Sequence, residues 1–282
     1  MPLAFSTNAF KQNTLIESIE AIGQVGYRAV ELMADLHHAY PLTFSAERRR
    51  ETKKRLADLG LAVSNVNAFT HFVAGDTYHP TWIEDDAKLV DVRVQHTIRS
   101  IELAQEFGAK TVSIQPGGPL IGRSISRNEA YERFATALAR CVPTAQACGV
   151  TIAVEPEPGL LIERAGEYME FKQRHFAAES TVRMNCDVGH LFCVGDDPAD
   201  VIRRFPHDIA HVHLEDIGQN RVHQHLTPGR GVIDFGSIFA ALEQSQFDGW
   251  TTVELYPFET SAKGVAASAM AHLSRFVSRS ES

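Results

Sequence analysis

The sequence has no excess of basic residues. Its 282 residues include 27 Lys and Arg against 35 Asp and Glu, a formal charge of −8. Nucleic-acid affinity rests on clustered cations. The longest basic run, Arg48–Arg50 with Lys53, Lys54 and Arg55, reads as the solvated face of a helix, so no nucleic-acid partner is expected. No apolar stretch is long enough to span a membrane, and Met1–Ser6 lacks the charged lead and apolar core of a signal peptide. Cysteine is sparse: positions 141, 148, 186 and 193 form no Cys-x-x-Cys pair, which points to free thiols in a reducing cytoplasm. No Pro/Ser-rich linker or low-complexity block interrupts the chain, so a single domain over 1–282 is expected.

Short apolar runs, rich in β-branched residues, alternate with amphipathic stretches. The runs are Leu3–Ser6, Ala29–Leu32, Ala62–Asn65, Thr111–Gln115, Thr151–Glu155, Val182–Asp187, Ile209–Leu214 and Thr251–Leu255. Helical patterns fall at Leu15–Val25, Ala46–Leu59, Val90–Phe107, Glu129–Cys148, Ala165–His175, Ile238–Gln246 and Val265–Phe276. Several of these stop at a glycine (26, 60, 108 and 149), the residue that tolerates the left-handed closing conformation. Continuously apolar strands suit a parallel sheet covered on both faces. Eight strand–helix units predict an α/β fold, the (β/α)8 TIM barrel. A doubly wound open sheet is disfavoured because no Gly-x-Gly-x-x-Gly follows the first run.

Barrel active sites lie at the C-terminal ends of the strands. Four successive runs end at Glu155, Asp187, His213 and Glu254. Three carboxylates converging on one mouth need a countercharge, and two Glu, one Asp and one His form a ligand set for a borderline-hard divalent ion. Manganese is the first expectation, with zinc, cobalt or magnesium as alternatives. Six of the 13 histidines fall between 190 and 225. His211 points the same way as His213 but one layer deeper, and reads as a core residue. His190 follows Asp187 by three residues, and His223 and His225 share an extended-chain spacing, so all three are candidates for substrate binding or an additional metal. Each also has a plain structural reading. Arg230, in the Pro228-Gly229-Arg230-Gly231 turn, is a candidate clamp for an anionic or polyol substrate, or an ordinary exposed arginine. The segment 69–86 is long, polar and aromatic, and reads as a lid or an inert insertion.

These residues resemble the xylose isomerase-like TIM-barrel superfamily, which includes sugar isomerases, ketose 3-epimerases, inosose dehydratases and type IV apurinic endonucleases. The resemblance covers essentially the whole chain, with its specific motifs between Glu155 and Glu254. It implies that Glu155, Asp187, His213 and Glu254 hold one divalent ion, and that Glu155 and Glu254 carry the proton transfers. In the epimerases the histidine corresponding to His190 binds substrate; in the endonucleases it is a ligand. His223-Gln224-His225 followed by Gly229-Arg230-Gly231-Val232-Ile233 follows the endonuclease spacing, with His replacing Asp. The endonuclease His-Pro-Gly after the fourth strand is Gln115-Pro116-Gly117 here, so that ligand is missing. Glu157 or Glu163 takes the place of a further epimerase glutamate. Glu157, Gln115 and His71 join His190 and Arg230 as expected substrate-binding residues.

The expected function is a metal-dependent isomerase or epimerase acting on a sugar or polyol through an enediolate. A dehydratase, a multi-zinc hydrolase and a non-catalytic sugar- or metal-binding barrel are the alternatives. Barrels of this group often assemble as homo-oligomers.

Overall fold

The computed structural model describes residues 2–277. Eight strands close into a barrel in sequence order: β1 (Leu3–Ser6), β2 (Ala29–Met33), β3 (Ala62–Asn67), β4 (Thr111–Ile114), β5 (Thr151–Val154), β6 (Val182–Asp187), β7 (Ile209–Leu214) and β8 (Thr251–Val253). Every neighbour pairs in parallel, and β1 closes on β8 through Leu3 with Thr251 and Phe5 with Val253. The helices are α1 (Leu15–Val25), α2 (Ala46–Asp58), α3 (Ala87–Phe107), α4 (Arg127–Ala139), α5 (Val142–Cys148), α6 (Ala165–His175), α7 (Val188–Val194), α8 (Pro198–Arg204), α9 (Phe235–Gln244) and α10 (Ala262–Leu273). The predicted (β/α)8 architecture is the one observed.

Local chemistry explains the boundaries. Thr14 caps α1 in a reciprocal capping box with Glu17, satisfying N–H groups that the first turn leaves orphaned. Gly108 and Gly149 close α3 and α5 at φ values of 76° and 63°, a region that side-chain-bearing residues avoid. The helix predicted over Glu129–Cys148 is two helices. Pro143 has no N–H to donate, so the chain breaks at Arg140-Cys141 and restarts with the proline in the first turn of α5. The sequence reading lists no helix between the sixth and seventh runs, where α7 and α8 lie; each has only seven residues, too few for a readable period. Glu155 and Glu254 fall one residue past β5 and β8, in the loops at the barrel mouth.

Two ladder irregularities sit beneath that mouth. The β2–β3 register shifts between Val30 and Glu31, and the β6–β7 register between Met184 and Asn185. Such shifts re-aim side chains next to functional sites. Here they leave Glu31 opposite Asn65 and Asp187 opposite His213. No helix among the described residues is long and apolar enough to cross a membrane. All four cysteines are free thiols.

Candidate functional site

Glu155, Asp187, His213 and Glu254 converge as the sequence predicts. One ligand atom from each lies within 4.8 Å of the others, and all four residues are buried. His213 sits at the centre. Its Nδ1 is 3.0 Å from Glu155 Oε1 and 3.9 Å from both Asp187 Oδ2 and Glu254 Oε1. The opposite nitrogen, Nε2, lies 2.7 Å from Glu31 Oε2. Glu31 is itself held by the side-chain amides of Asn65 (2.9 Å) and Asn67 (3.2 Å). His211 is fully buried one layer below, with Nε2 3.5 Å from Glu31, in the core position expected of it.

The electrostatics follow from this crowding. Burial works against charge on His213, but Glu31, Glu155 and Glu254 hold its pKa well above the ordinary value. Burial likewise disfavours charge on Glu31, and His213 and His211 overcome it, holding that carboxyl well below its usual range. Burial and the facing carboxylates push Glu254 well up, and push Asp187 up to about 7. Glu155 Oε2 and Asp187 Oδ2 are buried without any hydrogen-bond partner. Unpaired buried carboxylate oxygens are costly. This donor set therefore fits a divalent cation, and Glu31 stands against the far nitrogen of His213 where a carboxylate would orient the ring if it ligated.

A second cluster adjoins the first. His190 Nδ1 donates to the Pro156 carbonyl (3.1 Å), and His225 Nδ1 to the Glu254 carbonyl (3.0 Å). Both rings thereby leave Nε2 with a lone pair. His223 Nε2 is 3.2 Å from that of His225. The three histidines offer nitrogens within 4.8 Å of one another. Burial keeps all three neutral: His225 is pushed down to about 3, and His190 and His223 also fall below the ordinary value.

A cavity of about 260 Å³ opens above these groups. Its walls include Glu155, Glu157, His190, His223 and Glu254, faced by the aromatics Phe69, Phe72, Tyr78 and Tyr256. Glu157 is buried against the cavity and accepts a hydrogen bond from Tyr78 Oη (2.9 Å). Burial and Glu155 raise its pKa well above the usual carboxylate range. The segment after β3 supplies Phe69, Thr70, Phe72, Thr77 and Tyr78, so it roofs the cavity as a lid. Asp35 Oδ2 pins it by accepting from Thr70 Oγ1 and Phe72 N, both at 2.7 Å. Buried Arg93 pins it again, donating to the Phe69 carbonyl (2.9 Å) and the Pro80 carbonyl (2.8 Å).

Three residues expected to contact substrate lie off this cavity. His71 does not line this cavity; it stacks on His96 (centroids 4.2 Å apart) and borders a separate cleft with Tyr40. Gln115 is buried beneath the lid, off the cavity lining, and donates through Nε2 to the Tyr78 carbonyl (3.1 Å), while its Oε1 has no hydrogen-bond partner. Arg230 is exposed and is not among the lining residues. Glu163 also lies off the cavity. Conversely, the sequence reading missed Glu31, Asn8 and Asn67. The two amides donate to Glu254 Oε1 at 2.9 and 3.0 Å. For Glu31 a signal existed: a lone acid inside the apolar run Ala29-Val30-Glu31-Leu32-Met33.

Comparison with known proteins gives a consistent picture. The sequence model described as xylose isomerase-like TIM barrel matches residues 19–276. An inosose dehydratase of Lacticaseibacillus casei is 24% identical over 270 residues, covering 86% of this chain and 83% of that protein. A D-tagatose 3-epimerase-like protein superposes with a TM-score of 0.79 at 19% identity, covering 98% of this chain and 99% of the other. The protein IOLI, solved with a bound zinc atom, also superposes at 0.79, with 17% identity and coverage of 99% and 100%.

Proposed function

The chain belongs to the xylose isomerase-like TIM-barrel family, and on that premise we propose that it is a divalent-metal-dependent enzyme that moves a proton next to the carbonyl of a small polyol. The observation that carries this reading is the placement of Glu155 and Glu254 about His213 Nδ1, both lining the same cavity. Glu155, Asp187, His213 and Glu254 hold the ion, manganese in the first instance. Bound there, it supplies positive charge that polarises a carbonyl and stabilises an enediolate.

The chain's own groups perform the rest. One of the two glutamates takes the proton from the carbon beside the carbonyl, and the C–H electron pair moves toward the carbonyl oxygen. The other returns a proton to the opposite face, which inverts the carbon, or to the neighbouring carbon, which isomerises the sugar. Asn8 and Asn67 donate to Glu254 Oε1 and fix its orientation. The aromatic lid residues exclude water and give the apolar face of a sugar ring a surface to pack against.

Dehydration is the second reading, and Glu157 favours it. Buried at the cavity wall under the Tyr78 hydroxyl, it is placed to protonate a departing hydroxyl, which leaves as water after the same first step. The likeness to inosose dehydratase points the same way. One experiment separates the two. The manganese-loaded protein is incubated with ketoses and inososes in deuterium oxide and followed by mass spectrometry and ultraviolet absorbance. Epimerisation or isomerisation gives a product one deuterium heavier. Dehydration gives loss of water and an absorbing enone. Neither signal with any of these substrates overturns the proposal.

The three histidines 190, 223 and 225 are proposed to bind a second ion or the substrate's polar end. Metal content distinguishes these: two equivalents per chain support the ion, one supports substrate contact.

A further inference from the structure

The carboxyl groups that line the cavity are not held alike. Glu254 is fixed by the amides of Asn8 and Asn67, and Glu155 faces His213. Glu157 has its main chain tied down: its N–H donates to the Ile162 carbonyl and its carbonyl accepts from Leu160 N, both at 3.1 Å. Its carboxyl has a single hydrogen bond among the described residues, and that bond comes from the lid. Tyr78 Oη donates to Oε1 at 2.9 Å, and Oε2 has no such partner. Glu157 is 4% exposed, so few other donors can reach it.

Tyr78 is fixed by contacts that do not involve its hydroxyl. Its carbonyl accepts from Nε2 of Gln115, just past β4, at 3.1 Å, and its N–H donates to Asp76 Oδ1 at 2.8 Å. Its ring lies edge-on to Phe69, with centroids 6.5 Å apart. These contacts place the hydroxyl, and the hydroxyl places the carboxyl. Elimination makes use of that. The electron pair of the enediolate forms the new C=C bond, the C–O bond to the departing hydroxyl breaks, and the Glu157 proton goes to that oxygen, which leaves as water. With Oε1 accepting from Tyr78, Oε2 is the oxygen free to carry the proton. Glu157 is left as a carboxylate, and a donor already on Oε1 stabilises the charge as it forms.

We propose that Tyr78 is a positioning residue for Glu157: its hydroxyl turns the acid toward the substrate, and does so only while the lid lies over the cavity. This rests on the dehydration reading of Glu157. Tyr78 acts through that carboxyl, and removal of the proton beside the carbonyl by Glu155 or Glu254 does not need it.

Tyr78→Phe keeps the ring and the carbonyl contact and removes the hydroxyl alone. In the manganese-loaded protein with an inosose, kcat for water loss is expected to fall about 10–100-fold. KM should stay within about twofold, and exchange of the proton beside the carbonyl for deuterium should slow by less than about threefold. Equal losses in the two steps, a change confined to KM, or an unchanged rate of water loss overturns the proposal. Added to Glu157→Gln, Tyr78→Phe should cost nothing further; a second loss as large as in the wild-type background also overturns it. Crystal structures read the position without turnover. The Glu157 carboxyl is expected in one orientation in the wild type and turned, or split between rotamers, in Tyr78→Phe; an unmoved carboxyl in the variant overturns the proposal. A wild type that loses no water from any substrate defeats the dehydration reading, and the crystal structures then decide alone whether Tyr78 orients Glu157.

Discussion

His213 Nε2 lies 2.7 Å from Glu31 Oε2, while Nδ1 of the same ring faces Glu155 at 3.0 Å. One imidazole thus joins a supporting carboxylate below to the proposed ligand set above. Glu31→Gln keeps the shape but removes the charge that orients and enriches the ring. Its expected effect is a loss of metal affinity of about 10–100-fold, read by competition with a chromophoric chelator. Unchanged affinity would show that Glu31 serves only the core.

Glu155→Gln and Glu254→Gln each remove a proton-transfer group while leaving an oxygen able to ligate. Each should lower kcat by about 10²–10⁴-fold, with metal still bound, more weakly, at saturating concentrations. Deuterium exchange into substrate is the measurement. Near-normal exchange in both variants would sink the assignment.

The ion-free protein should lose stability as pH rises above about 7. His213, Glu254 and Glu215 all have folded pKa values raised well above their ordinary ones. A group raised on folding contributes stability below its unfolded pKa and loses it as pH climbs through its folded value. Asp187, raised to about 7, is part-way through its loss at pH 7 and adds to the fall just above it. The buried neutral histidines oppose the trend only near pH 7, because their unfolded forms become fully neutral above it. Bound metal displaces these protons and should flatten the curve. Melting temperatures with and without manganese check this; an ion-free midpoint that rises over the window contradicts it.

Asp35→Ala removes the acceptor that pins Thr70 and Phe72. The lid should loosen, KM should rise several-fold, and limited proteolysis should cut between residues 69 and 80 faster. An unchanged cleavage rate would mean that Arg93 alone holds the lid.

Much of this was legible in the chain. Glu155, Asp187, His213 and Glu254 were readable because a polar residue ending an apolar run leaves a local trace, and barrel topology sends all strand ends to one mouth. The pair His211 and His213 was readable for the same reason: strand alternation alone places them on one side, one layer apart. Where Arg230 and His71 lie, off the cavity, was not legible because direction in a loop has no period. An arginine between two glycines is free to face either way, and Asp216, thirteen residues upstream of Gly229, turned that loop inward on itself.

The sequence by itself determined the class of fold, the number of strand–helix units and the four converging residues proposed as ligands, since these depend on hydrophobic period and chain order. Only the tertiary structure decided that Glu31 supports His213 across 182 positions of sequence, that the lid rests on Asp35 and Arg93, and that Asp216 gathers the loop after β7. Those are long-range hydrogen bonds between buried groups. Each partner is ordinary in its own segment, and closure of the barrel brings them within bonding distance.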